Sequence, residues 1–379
     1  MEPEKHYTTS YENSNKNYSY TSEDKSILDC YIIIPLAKKI LEFIPLWFPA
    51  NMITIISNSL AWLATIIAIT ARRTPPPLHL PIYLFIPILF FIYLIGDTLD
   101  GLHARRTKTG SPLGEFCDHF LDSFVTMELM FCIFSAHNIR TMFLISIFLY
   151  IPYIVQIGSF YEKYITKKMY FGKIGSSEAV LILSTFATIG FIPAVHDFMT
   201  KPLDIFLFGH NFTISEFALI IQAVSGFSAF VQTLIRTKKL EKGFVLYLLF
   251  SLMLTLSTLF LERRRMPLII LTLSFYHIHY SASLLGAIIM KRSCPKPDII
   301  LTIAVYFILL FGFRHPVLYA ILFIYILVSA FSHAAQFVHE NIKYWYWINP
   351  KLSPDETTQK TENKTEPIKI SAPENNTKT

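Results

Sequence analysis

The sequence predicts an all-α polytopic membrane protein, with about ten transmembrane helices and an N-terminal interfacial amphipathic helix. Of the 379 residues, 53% are hydrophobic and only 16% are charged, whereas about a quarter of the residues are charged in a soluble globular chain. The hydrophobic residues stand in long blocks, each near the roughly 20-residue length that crosses a bilayer. The composition therefore excludes a soluble enzyme, a disordered protein and a disulfide-stapled secreted domain.

Charge and cysteine content exclude further classes of protein. The four cysteines are scattered and form no pair at metal-ligand spacing, so neither a disulfide framework nor a zinc site is expected. The net charge of +6 suits loops that face an anionic membrane surface, whereas a nucleic-acid-binding protein would carry a dense basic stripe. We expect no nucleic-acid partner.

The two ends of the chain are polar. Residues 1–25 are rich in Ser, Tyr, Asn and Lys and lack the order of a signal peptide, so we expect a disordered N-terminus. Residues 26–47 mix apolar and charged positions and are too charged to span, which predicts the interfacial helix. The composition of residues 346–379 predicts a disordered tail.

Ten apolar blocks lie between these ends, and the third of them is the least apolar. They cover residues 52–71, 80–96, 118–137, 142–160, 178–196, 215–235, 243–261, 267–290, 298–313 and 316–339. Lys and Arg are concentrated in alternate loops, and the positive-inside rule places those loops and both termini in the cytoplasm. Residues 263–265, three consecutive arginines, argue for the opposite orientation.

One dense group of acidic residues spans positions 96–123, and carboxylates at membrane depth indicate function because they are costly to bury. If both flanking segments are helical, each presents one face with the spacing i, i+3, i+4, i+7. The first face holds two carboxylates beside two very small residues: Asp97, Asp100, Gly101 and Ala104. The second face holds Glu115, Asp118, His119 and Asp122.

Two antiparallel helices joined by a short loop would bring these faces together. Four converging aspartates would repel one another unless cations bound between them, and all-oxygen ligands select hard ions such as Mg²⁺ or Mn²⁺. A two-metal carboxylate site beside Arg105 suits a pyrophosphate or a nucleotide diphosphate. A cation-coupled transporter is the alternative, although it would not need small residues and an arginine at these spacings.

These residues resemble a known family signature. The order Asp97-x2-Asp100-Gly101-x2-Ala104-Arg105-x8-Gly114-x3-Asp118-x3-Asp122 is similar to that of the CDP-alcohol phosphotransferases at every fixed position. His119 and the segments 49–54, 111–113 and 172–178 look like the eukaryotic choline/ethanolamine phosphotransferase branch, although Ala50 separates a proline and an asparagine that adjoin in that family. The resemblance covers roughly residues 27–345.

The resemblance implies a role for each candidate site residue. The four aspartates would hold two Mg²⁺ or Mn²⁺ ions, and His119 would act as general base, oriented by Glu115. The CDP moiety would be bound by Asn51, Gly101, Ala104, Arg105 and Gly114. Two alternatives stay open: Asp122 acts as the base, or His119 only supports a neighbouring group.

The resemblance also implies a reaction, a location and an assembly. The expected reaction transfers phosphoethanolamine and/or phosphocholine from CDP-ethanolamine or CDP-choline to diacylglycerol, giving the phospholipid and CMP. Residues 48–237 (spans one to six) would form the catalytic core, and residues 238–345 (spans seven to ten) would face lipid or the second subunit of a homodimer. The protein would lie in the endoplasmic reticulum or Golgi membrane, with the active site facing the cytoplasm.

The nearest alternative is a CDP-diacylglycerol-dependent phosphatidyltransferase that acts on a soluble alcohol such as inositol or glycerol phosphate. It would be expected to have fewer spans and to lack His119. The sequence does not separate ethanolamine from choline, because 15% of its residues are aromatic and no cage for a quaternary ammonium stands out.

Overall fold

Long helices make up most of the chain. The computed structural model describes residues 7–12, 19–24, 26–71, 82–171, 175–207, 210–260, 266–311 and 315–341. The predicted tail and much of the predicted disordered N-terminus lie outside these ranges. Within residues 1–25, however, the structure places two strands, β1 (Tyr7–Glu12) and β2 (Ser19–Asp24).

The first part of the helical bundle carries the acidic residues. A π-helical turn (Asp29–Ile33) leads into α1 (Ile34–Leu41), which lies within the range predicted for the interfacial helix. Then follow α2 (Ala50–Ala71), α3 (Phe85–Thr107), α4 (Pro112–Ala136) and α5 (Met142–Thr166). Strand β3 (Met169–Phe171) pairs with β2 in parallel, and β2 pairs with β1 antiparallel.

The second part begins with a sharp bend. Helices α6 (Ser176–Ile189) and α7 (Pro193–Met199) meet at 103°, and a hairpin of β4 (Pro202–Leu207) and β5 (His210–Thr213) follows. The remaining helices are α8 (Ile214–Thr237), α9 (Lys242–Ser257), α10 (Met266–Ile289), α11 (Ile299–Leu310) and α12 (Pro316–Asn341), with a 3₁₀ turn (Thr258–Phe260) after α9.

In the described ranges, seven helices are long and apolar enough to cross a membrane, or eight if the bent α6–α7 pair counts as one span. The prediction of about ten spans is therefore met only in part. Helices α9 and α11 coincide with the seventh and ninth predicted blocks but have only 16 and 12 residues, which is short of the roughly 20 residues that a span requires.

Close packing of α2 against α3 and α4 brings the acidic helices together. A Cβ atom on Gly96 would lie 2.4 Å from the Cβ of Ser57. Only glycine therefore allows α3 to approach α2 this closely, one residue before Asp97. Helix α10 packs against α4, α5 and α12, so α4 lies in the interior of the bundle.

Candidate active site

The paired helices α3 and α4 form the site because a four-residue connection reverses the chain between them. Lys108 follows α3 in the left-handed region, with φ 56°. Ser111 caps α4 by accepting a hydrogen bond from the Gly114 backbone N–H at 3.0 Å, and Pro112 occupies the first turn. Proline suits this position because its missing N–H would have no partner there.

Three of the four predicted aspartates come together between these helices. One carboxylate oxygen each from Asp97, Asp118 and Asp122 lies within 4.8 Å of the others, and all three residues are half-buried. The fourth, Asp100, is only 5% exposed, and its Oδ2 accepts a hydrogen bond from Thr54 Oγ1 at 2.5 Å. Asp100 stands outside the three-carboxylate group but close enough to repel Asp118.

The carboxylate group fits a hard divalent cation. Its donors are all oxygen, which is the ligand type that Mg²⁺ and Mn²⁺ prefer. The buried Oδ1 of Asp118 has no hydrogen-bond partner among the described residues. Three mutually repelling carboxylates with an unused buried oxygen need a positive charge, and a bound metal ion would supply it.

His119 lies at the edge of this group. Its Nδ1 atom is 3.8 Å from Asp118 Oδ2 and 4.0 Å from Asp122 Oδ2, beyond hydrogen-bonding distance. The Phe160 ring of α5 covers the imidazole, with ring centres 5.6 Å apart. The imidazole is therefore held against the carboxylate group on one side and against an apolar ring on another.

Glu115 lies one turn before His119 and contacts a buried lysine. Its Oε1 accepts a hydrogen bond from Lys163 Nζ of α5, and the Glu115 and Lys163 side chains are 10% and 8% exposed. Both charges lie within electrostatic reach of His119. The fourth predicted apolar block ends at residue 160, whereas α5 continues to Thr166 and so includes Lys163.

Two further polar contacts were not identified from the sequence. Tyr93 donates a hydrogen bond from its hydroxyl to Asp122 Oδ1 at 2.7 Å, and Thr54 binds Asp100 as described above. Tyr93 stands one turn before Asp97, and that spacing is the only signal that could have indicated it. Thr54 follows Asn51 by three residues, so both lie on the face of α2 that meets the site.

The residues expected to bind the CDP moiety lie on the same three helices. The Oδ1 atom of Asn51 is 3.2 Å from the position that a Cβ on Gly114 would take, so the two residues are in contact at the starts of α2 and α4. The guanidinium of Arg105 lies 3.7 Å from the corresponding position on Gly101. Ala104 is half-buried beside Arg105. Because Gly114 and Gly101 have no side chain, space is left beside the Asn51 amide and beside the Arg105 guanidinium.

Glu178 does not join the aspartates. Its carboxylate accepts hydrogen bonds from Ser26 Oγ (2.7 Å), the Leu28 N–H (2.9 Å) and the Gly175 N–H (2.7 Å). Ser177 donates to Asp29 Oδ2 at 2.9 Å, and burial raises the pKa of Asp29 above the ordinary carboxyl value. These hydrogen bonds hold the start of α6 against the segment that leads into α1.

Comparison with known proteins identifies a family. Residues 47–202 match the family model described as CDP-alcohol phosphatidyltransferase. The chain is 32% identical over 111 residues to choline/ethanolaminephosphotransferase 2 of Arabidopsis thaliana, a match that covers 28% of each chain. It is 30% identical over 188 residues to cholinephosphotransferase 1 of Saccharomyces cerevisiae, covering 46% of this chain and 45% of the yeast protein.

A relative of a different activity is also similar. The chain is 34% identical over 110 residues to the CDP-diacylglycerol–serine O-phosphatidyltransferase of Encephalitozoon cuniculi, a match that covers 28% of each chain. The matched region spans less than half the length of each of these three relatives. The matching family model covers α2 to α7 and therefore includes every candidate site residue. Residues 47–202 are thus a domain of the CDP-alcohol phosphatidyltransferase family, as the spacing of the aspartates predicted.

Proposed function

We propose that the chain transfers phosphoethanolamine and/or phosphocholine from the CDP-alcohol to diacylglycerol, releasing CMP. The observation that carries the proposal is the placement of His119 beside the three grouped carboxylates, 3.8 Å from Asp118. The names of the Arabidopsis and yeast relatives support this donor class. We propose Mg²⁺ or Mn²⁺, two ions, as the cofactor, because the donors are all oxygen.

The proposed reaction is one displacement at phosphorus. His119 takes the proton of the diacylglycerol hydroxyl, and the hydroxyl oxygen forms a bond to the phosphorus that bears the head group. The bond from that phosphorus to the bridging oxygen breaks, and CMP leaves with the electron pair. Divalent ions held by the aspartates would neutralise the pyrophosphate and stabilise the departing phosphate.

The protein side chains prepare this step. Glu115 lies one turn from His119 and orients the imidazole, and Lys163 holds Glu115 in place. Tyr93 fixes Asp122, and Thr54 fixes Asp100. Arg105 meets a phosphate of the donor, while Asn51, Gly101, Ala104 and Gly114 accommodate its nucleoside. An imidazole suits a base role because its ordinary pKa lies near working pH.

Membrane placement and assembly belong to the same proposal. Helices α9 and α11 and the α6–α7 pair complete about ten crossings, and α1 lies at the interface. The site and both termini face the cytoplasm in the endoplasmic reticulum or Golgi membrane, and the chain forms a homodimer through its C-terminal helices. These statements are supported by the family resemblance and by the alternation of the loops.

Lipid synthesis by the purified full chain tests the proposal. Micelles would contain diacylglycerol and Mn²⁺, with radiolabelled CDP-ethanolamine or CDP-choline, and both phospholipid and CMP would be measured. We expect product with at least one donor and none with Asp118→Asn. For His119→Ala we expect a loss of about 10²–10⁴ in rate, the usual effect of removing a general base.

The second candidate is the CDP-diacylglycerol-dependent reaction, which the similarity to the Encephalitozoon relative favours. The same preparation would receive CDP-diacylglycerol with serine, inositol or glycerol phosphate. Product here and none with the CDP-alcohols would overturn the leading proposal and retain only the family. An absence of CMP from every donor would leave a cation-coupled transporter as the better explanation of the buried acids.

A further inference from the structure

Six residues other than glycine have positive φ in the described part of the chain. They are Lys108 (56°), Asn138 (55°), Lys167 (63°), Asp204 (54°), Lys238 (55°) and Lys291 (53°). Asparagine and aspartate enter this region more readily than other L-residues because their short side chains bond locally. Lysine has no such advantage, yet four of the six are lysines.

The four lysines share one structural position, and we call them the helix-end lysines. Lys108, Lys167 and Lys238 directly follow α3, α5 and α8, and Lys291 lies two residues after α10. Glycine is the usual residue at this position, because it adopts the left-handed conformation without strain. All four lysine side chains are exposed.

The helix-end lysines also share one face of the molecule. The ends of α3, α5, α8 and α10 lie on the same side, which we call the site face, because residues near these ends contact one another. Glu162 near the end of α5 binds Arg236 near the end of α8. Lys163 of α5 binds Glu115 in the first turn of α4, the helix that a four-residue connection joins to α3. Pro295, which follows α10, lies against Gly243 at the start of α9, five residues after Lys238. Glu115 and His119, in the first turns of α4, lie toward this face. Asn138 and Asp204 lie in the connections on the opposite face. Among the described residues, lysines with positive φ thus follow helices on the site face and not on the opposite face.

A helix end favours a positive charge, and Lys167 also bonds to the Tyr164 carbonyl at 2.7 Å. That effect does not explain why lysines occupy the left-handed positions on the site face, because a lysine within the last turn would supply the same charge with an ordinary φ. Two of the helices also expose apolar side chains near these ends: Ile235 is 66% exposed three residues before Lys238, and Met290 is 37% exposed directly before Lys291. Lys238 and Lys291 therefore lie beside exposed apolar surface, where a lipid head group would meet both the apolar side chains and the charge.

We infer that the helix-end lysines are an interaction surface for anionic phospholipids of the leaflet that meets the site face. Each lysine near a charged membrane surface contributes attraction that adds to its neighbours' and weakens with salt. The left-handed backbone turns the chain away from each helix end, and the exposed side chains of Lys108, Lys238 and Lys291 can reach a lipid phosphate directly. Lys167 would do so by exchanging its bond to the Tyr164 carbonyl for one to the phosphate. The surface would hold the site face against an anionic leaflet.

Binding to a labelled lipid tests this inference without using activity. The detergent-solubilised full chain would be titrated with dansyl-phosphatidylserine or dansyl-phosphatidylcholine, and energy transfer from the tryptophans would be recorded. We expect preference for phosphatidylserine, and we expect Lys238→Gly with Lys291→Gly to weaken it about fivefold for each lysine. Glycine is the residue that these backbone positions favour, so the variant should remain folded.

Two controls decide the interpretation. The pair Lys238→Arg with Lys291→Arg should retain the preference. The pair Arg140→Gln with Lys201→Gln removes two charges from the opposite face and should also retain it. Equal losses in the glycine pair and the opposite-face pair would overturn the inference, because only net charge would matter. The inference also fails if the glycine pair keeps its preference while the KM for the anionic donor rises in pure phosphatidylcholine, since the lysines would then recruit the donor.

Discussion

Helices α4 and α10 differ from α8 and α12 in where their polar residues lie. In α4 and α10, 78% and 83% of the central residues are buried, and these helices together contain two glutamates, two aspartates and several histidines, serines and threonines. In α8 and α12 only 22% of the central residues are buried, and the exposed residues are mainly Ile, Val, Leu and Phe. The two most buried of the seven candidate spans are thus less apolar than the two most exposed.

In a soluble protein the relation is the reverse, because there the buried residues are more apolar than the exposed ones. Lipid accepts apolar side chains without cost, so hydrophobicity alone does not mark the interior of a bundle. Polar side chains inside the bundle need partners, because water is absent there. The interior of this molecule should therefore respond to the pairing of each polar group, and three substitutions test that idea.

The largest effect is expected at the grouped aspartates. Asp97→Asn removes one charge from carboxylates that lie within 4.8 Å of one another. A hard ion would lose a charged ligand, so turnover should fall by about 10³-fold or more, a barrier increase of about 4 kcal/mol. Activity would be measured against Asp197→Asn, which changes an exposed acid on α7.

Thermal unfolding of Asp97→Asn gives an independent measurement. An ion that binds the folded state raises its stability, so Mn²⁺ should raise the Tm of the wild type. The Tm of the variant should respond much less. Without divalent ions the variant should be at least as stable as the wild type, because one repelling charge is gone. Equal Mn²⁺ responses would contradict a metal site at Asp97.

An intermediate effect is expected at the buried pair Lys163–Glu115. Lys163→Met leaves a buried carboxylate without its cation, which costs about 3–5 kcal/mol when a buried pair is broken. Lys239→Met is the matched control, because Lys239 contacts Glu241 at 2.8 Å but is 65% exposed. Breaking this surface pair should change the stability much less, because water and salt screen both charges. Unfolding midpoints in detergent would compare the two.

A double variant separates stability from catalysis. Lys163→Met with Glu115→Gln removes both charges and should recover much of the stability that either single substitution loses. Activity should stay low, because Glu115 is proposed to orient His119. A double variant with wild-type activity would show that Glu115 has no such role.

The sequence predicted the parts of the site that depend on helical periodicity. The spacing of Asp97, Asp118 and Asp122 is sufficient, because two antiparallel helices must bring those faces together. Asp100 shares the face in sequence, but the three-residue offset turns its side chain toward Thr54, which only the packing of α2 decides. The contacts of Tyr93 and Lys163 depend on the same kind of tertiary packing, so composition and spacing could not assign them.

Helix lengths were predictable only where hydrophobicity sets them. The apolar blocks ended at residues 96 and 160, whereas α3 and α5 continue for 11 and 6 residues beyond, to Thr107 and Thr166. Both extensions are polar segments that remain helical because neighbouring helices supply partners. Arg106 contacts the Leu41 carbonyl, and Glu162 binds Arg236. The candidate site residues lie on or against such extensions, where hydrophobicity is least informative.

The smallest effect, and the one of opposite sign, is expected at Glu128. Glu128 and Glu162 are both 0% exposed. Glu162 binds Arg236 through two hydrogen bonds of 2.6 and 2.9 Å, whereas neither carboxylate oxygen of Glu128 has a partner in the described part of the chain. Glu128→Met should therefore raise the free energy of unfolding by about 1–3 kcal/mol, while Glu162→Met should lower it by about 1–3 kcal/mol, because the Arg236 left without its partner is 42% exposed. Thermal unfolding of both variants in one detergent measures the two signs side by side. Destabilisation of similar size in both variants would mean that Glu128 has a bound partner. The rule that pairing decides stability inside this bundle would then hold for Glu128 only if that partner were identified.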